Sequence, residues 1–131
     1  MIGLDTNVLV RFLVRDDEEQ FERAEKLIRR SANAGDAVHI SLLVLLETEW
    51  VLRSRYKLSK PEILGTFSEL LSSMDLSFED EPSIEEALFV WKDSPAQLAD
   101  CLIGARYRAL GCDATATFDS DAVKLPGWVG V

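Results

Sequence analysis

The chain has 131 residues, a formal net charge of −9 and hydrophobic residues at 47% of its positions. This length and composition fit a single globular domain over residues 1–131, with enough apolar residues for a sizeable core. The acidic balance argues against nucleic-acid binding through a generally basic surface, but it does not exclude a nucleic-acid enzyme whose acids bind cations.

Apolar residues recur at helical spacing in six parts of the chain. The predicted helices cover about residues 7–13, 17–34, 41–56, 61–74, 83–91 and 95–110. Asp16 or Asp17 can cap the second helix, and Ser41 the third. Pro61 suits the first turn of the fourth helix. A capping box of Ser83 with Glu86 predicts the start of the fifth, and Ser94, Pro95 and Gln97 that of the sixth.

Short apolar runs between these helices predict five strands, at Ile2–Leu4, AVHI, LSF, ATATF and WVGV. Strands of this kind that alternate with helices imply a parallel sheet covered on both faces. Ligand sites of such sheets lie beyond the carboxyl ends of the strands. Asp5 and Asp119 follow predicted strands, so we expect both at that edge.

Four carboxylates stand at the edges of apolar runs: Asp5 after MIGL, Glu47 after SLLVLL, Asp100 within AQLADCLI and Asp119 after TATF. An ionised acid that is buried in such surroundings needs a partner to compensate its charge. Three of the four have no basic residue immediately beside them. If they converge, Mg²⁺ or Mn²⁺ would suit them, and metal-assisted hydrolysis of phosphate esters is the favoured chemistry.

The first and third acids also have plainer structural explanations. Asp5 could serve only as a helix cap, because Asp, Thr and Asn all cap helices well. Thr6 and Asn7 could equally hydrogen-bond the metal ligands or their waters. Asp100 could be an acid placed close to a helix start, where the helix dipole favours negative charge.

The other two acids each have an acidic neighbour. Glu49 has Arg53 four residues on, the spacing of a surface ion pair, so we expect Glu49 to be structural and Glu47 to point inward to a metal. Asp119 directly continues a strand and is favoured over Asp121 as the metal ligand. Asp121 would then cap the next turn.

Basic residues form three clusters: Arg11 with Arg15; Arg53, Arg55 and Lys57; and Arg106 with Arg108. We expect most of them on solvated helix faces, with a local phosphate-binding rim as the open alternative. The single histidine, His39, lies in a predicted strand and is expected to be structural. Trp50 and Trp91 are expected in the core.

Other features of the sequence limit the classes of protein to which the chain can belong. No apolar stretch approaches the roughly 20 residues of a membrane span, and the first residues lack the pattern of a signal peptide. Cys101 and Cys112 are too few for a disulfide framework, so we expect buried, reduced thiols and a cytoplasmic protein. No glycine-rich phosphate loop is present.

Four motifs follow one another at domain-sized separations: GLDTNVLVRFL, LLETEWVL, ADCLIGA and TFDSDAVKLPG. Over essentially the whole chain the sequence resembles the PIN-domain ribonucleases, specifically the VapC-type toxins of type II toxin–antitoxin systems. The resemblance implies a three-layer α/β/α sandwich around a central, mainly parallel sheet. It also implies an endoribonuclease that depends on Mg²⁺ or Mn²⁺.

The family pattern can be carried over residue by residue. It implies four catalytic acids: Asp5, Glu47, Asp100 and Asp119. Asp5 and Asp100 would be the most direct metal ligands, with the other two acids as further candidates. Supporting roles are implied for four residues: Thr6, Asn7, Thr117 and Asp121. Gln97, where many relatives have an acid, and Ser120, where a basic residue is frequent, depart from the pattern and could alter metal affinity or phosphate contact.

The resemblance also implies partners: an RNA substrate, a second copy of the chain in a homodimer, and a VapB-type antitoxin that inserts an arginine into the acidic pocket. We expect cleavage to leave 5′-phosphate and 3′-hydroxyl ends. Two alternatives stay open, a nuclease of the same fold that acts on DNA and a catalytically silent module whose acidic pocket binds a basic peptide. A phosphoacceptor receiver domain is disfavoured, because WVLRSRYKLS offers no Asp near the middle of the chain.

Overall fold

The computed structural model describes residues 1–131 and contains six α-helices, four short strands and one 3-10 turn. By their contacts the residues form two compact units, 1–79 and 80–131. None of the helices is long and apolar enough to cross a membrane.

The first unit has four helices and two strands: α1 (Thr6–Val14), α2 (Glu18–Asn33), β1 (Val38–Ile40), α3 (Leu42–Ser54), α4 (Lys60–Ser72) and β2 (Leu76–Phe78). β1 and β2 pair in parallel, with Val38 opposite Leu76. The largest fully buried side chains of this unit include Leu9, Leu45, Leu52 and Phe67. Burial of each such side chain contributes about 1.5–3 kcal/mol, so the core holds α1, α3 and α4 in place.

Residues 2–4 lie beside β1 but do not form the predicted buried strand. They make one parallel bridge, between Gly3 and His39. The Leu4 amide donates to the His39 carbonyl at 2.9 Å, and the His39 amide donates to the Ile2 carbonyl at 2.8 Å. Ile2 is 49% exposed and only Leu4 is buried. The segment is therefore a short edge contact that leads directly into Asp5.

The predicted starts of α2, α3 and α4 are confirmed by hydrogen bonds. Asp17, not Asp16, caps α2, and Ser41 caps α3. At α4 the Ser59 side chain and Glu62 form a capping box, and Pro61 occupies the first turn. These caps fix where α2, α3 and α4 begin.

The second unit comprises α5 (Glu81–Lys92), α6 (Leu98–Ala109), β3 (Thr115–Thr117), the 3-10 turn (Ala122–Lys124) and β4 (Trp128–Gly130). β3 and β4 pair in parallel, with Thr115 opposite Trp128. Helices with parallel strand pairs in both units confirm the predicted α/β class. The three-layer order and the single domain over residues 1–131 stay predictions.

The predicted start of α5 is wrong. Asp80 caps this helix, and Ser83, expected to be the cap, lies in its first turn. The Asp80 carboxylate accepts hydrogen bonds from the Ser83 hydroxyl at 2.7 Å and from Arg106 Nη1 at 3.0 Å. These contacts, the Ser83 hydroxyl foremost, hold the pKa of Asp80 below its ordinary value. The left-handed backbone of Asp80, with φ of 52°, turns the chain into the helix here.

The start of α6 also lies later than predicted. Gln97 is the N-cap residue, and the helix begins at Leu98. The Ser94 hydroxyl instead accepts from the Ala96 amide at 3.0 Å, which makes a separate turn before the helix. The helix ends one residue from the predicted end, and Gly111 follows with φ of 92°.

The predictions about individual tryptophan, cysteine and histidine side chains are partly confirmed and partly wrong. Trp91 is buried as predicted, but Trp50 is 58% exposed. Neither cysteine forms a disulfide; Cys101 is buried as predicted, whereas Cys112 is exposed, contrary to the prediction. His39 lies in β1 with Nδ1 3.0 Å from the Ser77 hydroxyl of β2, a structural contact between paired strands.

Candidate active site

A cleft of about 230 Å³ opens in the first unit between the start of α1 and the outer face of α3. Its polar lining residues are Asp5, Thr6, Asn7, Glu47, Arg55 and Tyr56. Its apolar lining residues are Val10, Trp50 and Val51. Four of the residues predicted for the site, Asp5, Thr6, Asn7 and Glu47, are therefore brought together.

Asp5 occupies the N-cap position of α1, but its side chain makes no capping hydrogen bond. Asp17 and Ser41, at the same position of α2 and α3, do make such bonds, at 3.0 and 3.1 Å. The structure therefore does not support the explanation that Asp5 is only a helix cap. Its carboxylate is exposed beside the amino end of α1, where the helix dipole favours negative charge.

Thr6 contributes a buried hydroxyl to the same cleft. The residue is 7% exposed, and its Oγ1 atom has no hydrogen-bond partner. An unpaired buried hydroxyl costs about 1–3 kcal/mol unless a ligand or water satisfies it. Thr48 Oγ1 in α3 is unpaired as well, although Thr48 does not line the cleft. Two carboxylates and an unsatisfied hydroxyl around one cleft are a donor set that fits a hard divalent cation with bound water.

The predicted pairing of Glu49 with Arg53 is present, but the burial of Glu47 and Glu49 is the reverse of the prediction. Glu49 accepts from Arg53 Nε at 2.8 Å, so the predicted pair is confirmed. The Glu49 side chain is only 6% exposed, because it lies on the buried stripe of α3 with Leu45 and Leu52. Glu47 is exposed and lines the cleft.

The electrostatic premise for a metal was wrong in one respect. None of the four candidate acids is buried: Asp5, Glu47 and Asp119 are exposed, and Asp100 is partly exposed. Burial alone therefore does not force a cation to bind. Within the first unit, the case for a cation rests on the two carboxylates that line one cleft without a capping bond or an ion pair of their own.

Asp100 lies in the first turn of α6 in the second unit. Its Oδ2 atom accepts from the Gln97 amide at 3.3 Å, so the acid does support the helix start, as the plainer explanation expected. This bond uses one carboxylate oxygen and leaves the other able to act as a ligand.

Asp119, Asp121 and Thr117 belong to one tight turn after β3. The Asp119 amide donates to Thr117 Oγ1 at 2.9 Å. Asp119 Oδ1 accepts from the amides of Asp121 at 2.7 Å and Ala122 at 3.2 Å. The Asp119 side chain therefore caps the 3-10 turn, whereas the sequence led us to expect Asp121 in that role. Asp121 instead lies 3.8 Å from Lys124 Nζ.

Within either unit, no three His, Cys, Asp or Glu side chains are grouped so that they could hold a metal ion. The first unit contributes Asp5 and Glu47 to the candidate set, and the second contributes Asp100 and Asp119. A complete set of acidic ligands is thus not present within one unit.

A polar network, which the sequence did not reveal, borders the cleft at Tyr56. The Tyr56 hydroxyl donates to Asp16 Oδ2 at 2.8 Å, and Arg11 Nη1 donates to Asp16 Oδ1 at 2.9 Å and to the Tyr56 hydroxyl at 3.2 Å. The hydrogen bond from Tyr56 is the main reason why the pKa of Asp16 is lowered. The network ties the end of α3 to the connection between α1 and α2. Its partners are 40 and 45 residues apart, beyond the reach of helical spacing.

The family model of the PIN domain matches residues 2–127, and the chain belongs to the PIN-domain family. This confirms the resemblance drawn from the four motifs. Among individual proteins, the chain is similar to a "VapC ribonuclease" from Aquifex aeolicus (strain VF5). The two are 25% identical over 122 residues, which cover 93% of this chain and 90% of that protein.

Proposed function

We propose that this protein is a metal-dependent endoribonuclease and the toxin of a type II toxin–antitoxin pair. Membership of the PIN-domain family over residues 2–127 supports a nuclease, and the relative named a VapC ribonuclease supports RNA as the substrate. The observation that carries the proposal is the cleft in which Asp5 and Glu47 lie beside the unpaired Thr6 hydroxyl.

The proposed catalytic residues are the four acids Asp5, Glu47, Asp100 and Asp119. Asp5 and Asp100 would hold Mg²⁺ or Mn²⁺, with Glu47 and Asp119 as further ligands. The bound cation supplies an activated water and stabilises the charge that develops on the phosphate. Asp5 presents a carboxylate that no capping bond restrains, and Thr6 offers a hydroxyl for an ordered water. Asn7, Thr117 and Asp121 would orient these groups.

One proposed partner, the antitoxin, follows from the same chemistry. A VapB-type antitoxin could place a guanidinium beside Asp5 and Glu47, where it would replace the cation electrostatically. We also propose a homodimer and a cytoplasmic location. The oligomeric state can be measured by light scattering of the purified chain.

Cleavage of single-stranded RNA tests the enzymatic part of the proposal. The purified chain is incubated with RNA in Mg²⁺ or Mn²⁺, in the metal chelator EDTA, and with a DNA of the same sequence. We expect RNA cleavage that needs the metal and leaves 5′-phosphate ends. Cleavage of the DNA alone would instead identify a deoxyribonuclease.

Two variants test the site. Asp5→Asn and Asp100→Asn each keep the size of the side chain and remove its charge, and each should abolish cleavage. Calorimetric titration with Mn²⁺ gives a second readout, because a silent binding module need not bind metal. Undiminished cleavage by both variants would refute the assignment of the catalytic acids.

A further inference from the structure

Most basic residues of the three clusters already have acidic partners. Each of the following guanidinium groups is within ion-pair distance of a carboxylate: Arg11 with Asp16, Arg15 with Glu18, Arg53 with Glu49, Arg106 with Asp80, and Arg108 with Glu86. These five guanidinium groups therefore already have anionic partners within the chain. Arg55 and Lys57 are the two members of the clusters that take part in no ion pair.

Of these two residues, only Arg55 lines the acidic cleft. It is the C-cap residue of α3, and its amide is held by the Val51 carbonyl at 2.9 Å. Its side chain is exposed. The cleft therefore presents a cation on the same wall as Glu47, two helical turns further along α3.

The network around Tyr56 anchors the residue that follows Arg55. Tyr56 is the next residue in the chain, and its hydroxyl is bonded to Asp16 and Arg11. Arg11 also forms an ion pair with Asp16. Because its charge is already compensated, Arg11 does not compete with Arg55 for an anion at the cleft. The backbone that carries Arg55 is thus anchored on both sides while its guanidinium is left unpaired.

We propose that Arg55 binds a backbone phosphate of the RNA at the acidic cleft. This inference rests on the proposed ribonuclease function. A chain with a net charge of −9 repels an RNA strand, and Asp5 and Glu47 add to that repulsion at the cleft itself. A guanidinium can offset it by donating two parallel hydrogen bonds to phosphate oxygens. Arg55 is placed to do so beside the acids.

A different role for Arg55 would be to compensate Asp5 and Glu47 in the absence of metal. The two roles have opposite signatures. A phosphate-binding arginine contributes to RNA affinity, whereas a mere counter-ion of the acids weakens cation binding and leaves RNA affinity alone. Removing a counter-ion would therefore tighten Mn²⁺ binding without a change in KM for RNA.

The test compares Arg55→Ala and Arg55→Lys with Arg30→Ala. Arg30 lies in the last turn of α2, is exposed and does not line the cleft, so its removal controls for the change of net charge. Binding of a fluorescently labelled single-stranded RNA is followed by anisotropy in Ca²⁺ over a range of NaCl concentrations. The kcat and KM for cleavage are measured in Mn²⁺, and Mn²⁺ affinity is measured by calorimetry without RNA.

For Arg55→Ala we expect KM to rise on the order of tenfold or more, as for loss of a charged hydrogen bond. The slope of log affinity against log salt should flatten by about 0.7, the value for one phosphate of a single strand. Arg55→Lys should keep the salt slope but recover only part of the affinity, because an ammonium cannot make the paired bonds. Arg30→Ala should have the KM and the salt slope of the wild-type chain.

Arg55→Ala with unchanged KM and salt slope would overturn the inference, and so would tighter Mn²⁺ binding without loss of RNA affinity. Both results would leave the ribonuclease function standing, provided that the unchanged chain cleaves RNA and Asp5→Asn does not. If the unchanged chain neither binds nor cleaves RNA, the proposed function fails and the inference fails with it.

Discussion

Glu47 and Glu49 are two residues apart in α3 and have opposite surroundings. Glu49 is buried and paired with Arg53, whereas Glu47 is exposed and lines the cleft beside Asp5. One substitution at each position therefore tests separately the buried, paired carboxylate and the carboxylate that lines the cleft. Neutral Gln keeps the shape of either side chain and removes its charge.

We predict that Glu47→Gln weakens Mn²⁺ binding and cleavage while it changes the free energy of unfolding by less than about 0.5 kcal/mol. Glu49→Gln should lower the free energy of unfolding by about 1–2 kcal/mol, the value of a charged hydrogen bond discounted for the half-exposed Arg53. Urea unfolding and Mn²⁺ calorimetry of both variants check this. The opposite pattern, with metal binding lost only in Glu49→Gln, would exchange the two assignments.

At the scale of elements, the contact between α6 and β4 in the second unit depends on a glycine. A Cβ atom on Gly104 would collide with the indole of Trp128. The space beside Gly104 is occupied by Trp128 of β4. Gly65 in α4 offers a matched control, because a Cβ atom there would meet nothing within 4 Å.

We predict that Gly104→Ala lowers the free energy of unfolding by about 1–3 kcal/mol, the range for overpacking. Gly65→Ala should raise it by about 0.5–1 kcal/mol, because Ala favours the helix. Thermal and urea unfolding of the two variants give both values. A stabilising Gly104→Ala would show that the indole moves away at little cost.

The start of α5 should make stability depend on pH. Hydrogen bonds from Ser83, aided by Arg106, hold the pKa of Asp80 in the folded chain below its ordinary value of 3.8. A lowered pKa of an acid in the folded state means that its contribution is complete above the ordinary value and is lost as the pH falls below it.

We therefore predict that Asp80→Asn destabilises the chain at neutral pH and that its difference from the unchanged chain shrinks below about pH 4. Urea unfolding over a series of pH values measures the difference. Asp113→Asn, at an exposed acid in the same unit, is the matched control for the loss of one negative charge. A difference that stayed constant down to the lowest pH would exclude the Asp80 carboxylate as its source.

Over the whole molecule, local sequence patterns predicted the helices and strands better than they predicted which side chains are exposed. Ser41 and Pro61 marked helix starts correctly, because the capping bonds lie within a few residues of each other. Asp80 was missed as a cap, since its role depends on a left-handed backbone angle and on Arg106, 26 residues away. Trp50 and Glu49 were assigned to the wrong sides of α3, because that helix is apolar almost all round.

The candidate site was predictable to a similar extent. The sequence selected Asp5, Thr6, Asn7 and Glu47, and the structure brings these four to one cleft. It could not select Arg55 from its cluster, because that choice depends on which neighbours find ion-pair partners. It also could not show that Asp119 caps a turn, since the 3-10 turn after β3 has no marked periodicity.

The net charge of −9 gives a last prediction for the chain as a whole. Any added salt screens the mutual repulsion of its acids and favours the folded state slightly, whether or not a metal site exists. A site that binds only in the folded chain adds a stabilisation that depends on the ion, about 2.7 kcal/mol at a hundredfold excess over Kd. Mn²⁺ should therefore raise the melting temperature more than NaCl of equal ionic strength, and EDTA should remove the difference. Asp5→Asn should respond to both salts alike, because it loses the site but keeps nearly all of the general charge. If Asp5→Asn kept the full response to Mn²⁺, the ion would be bound elsewhere on the acidic surface and Asp5 would not be its ligand.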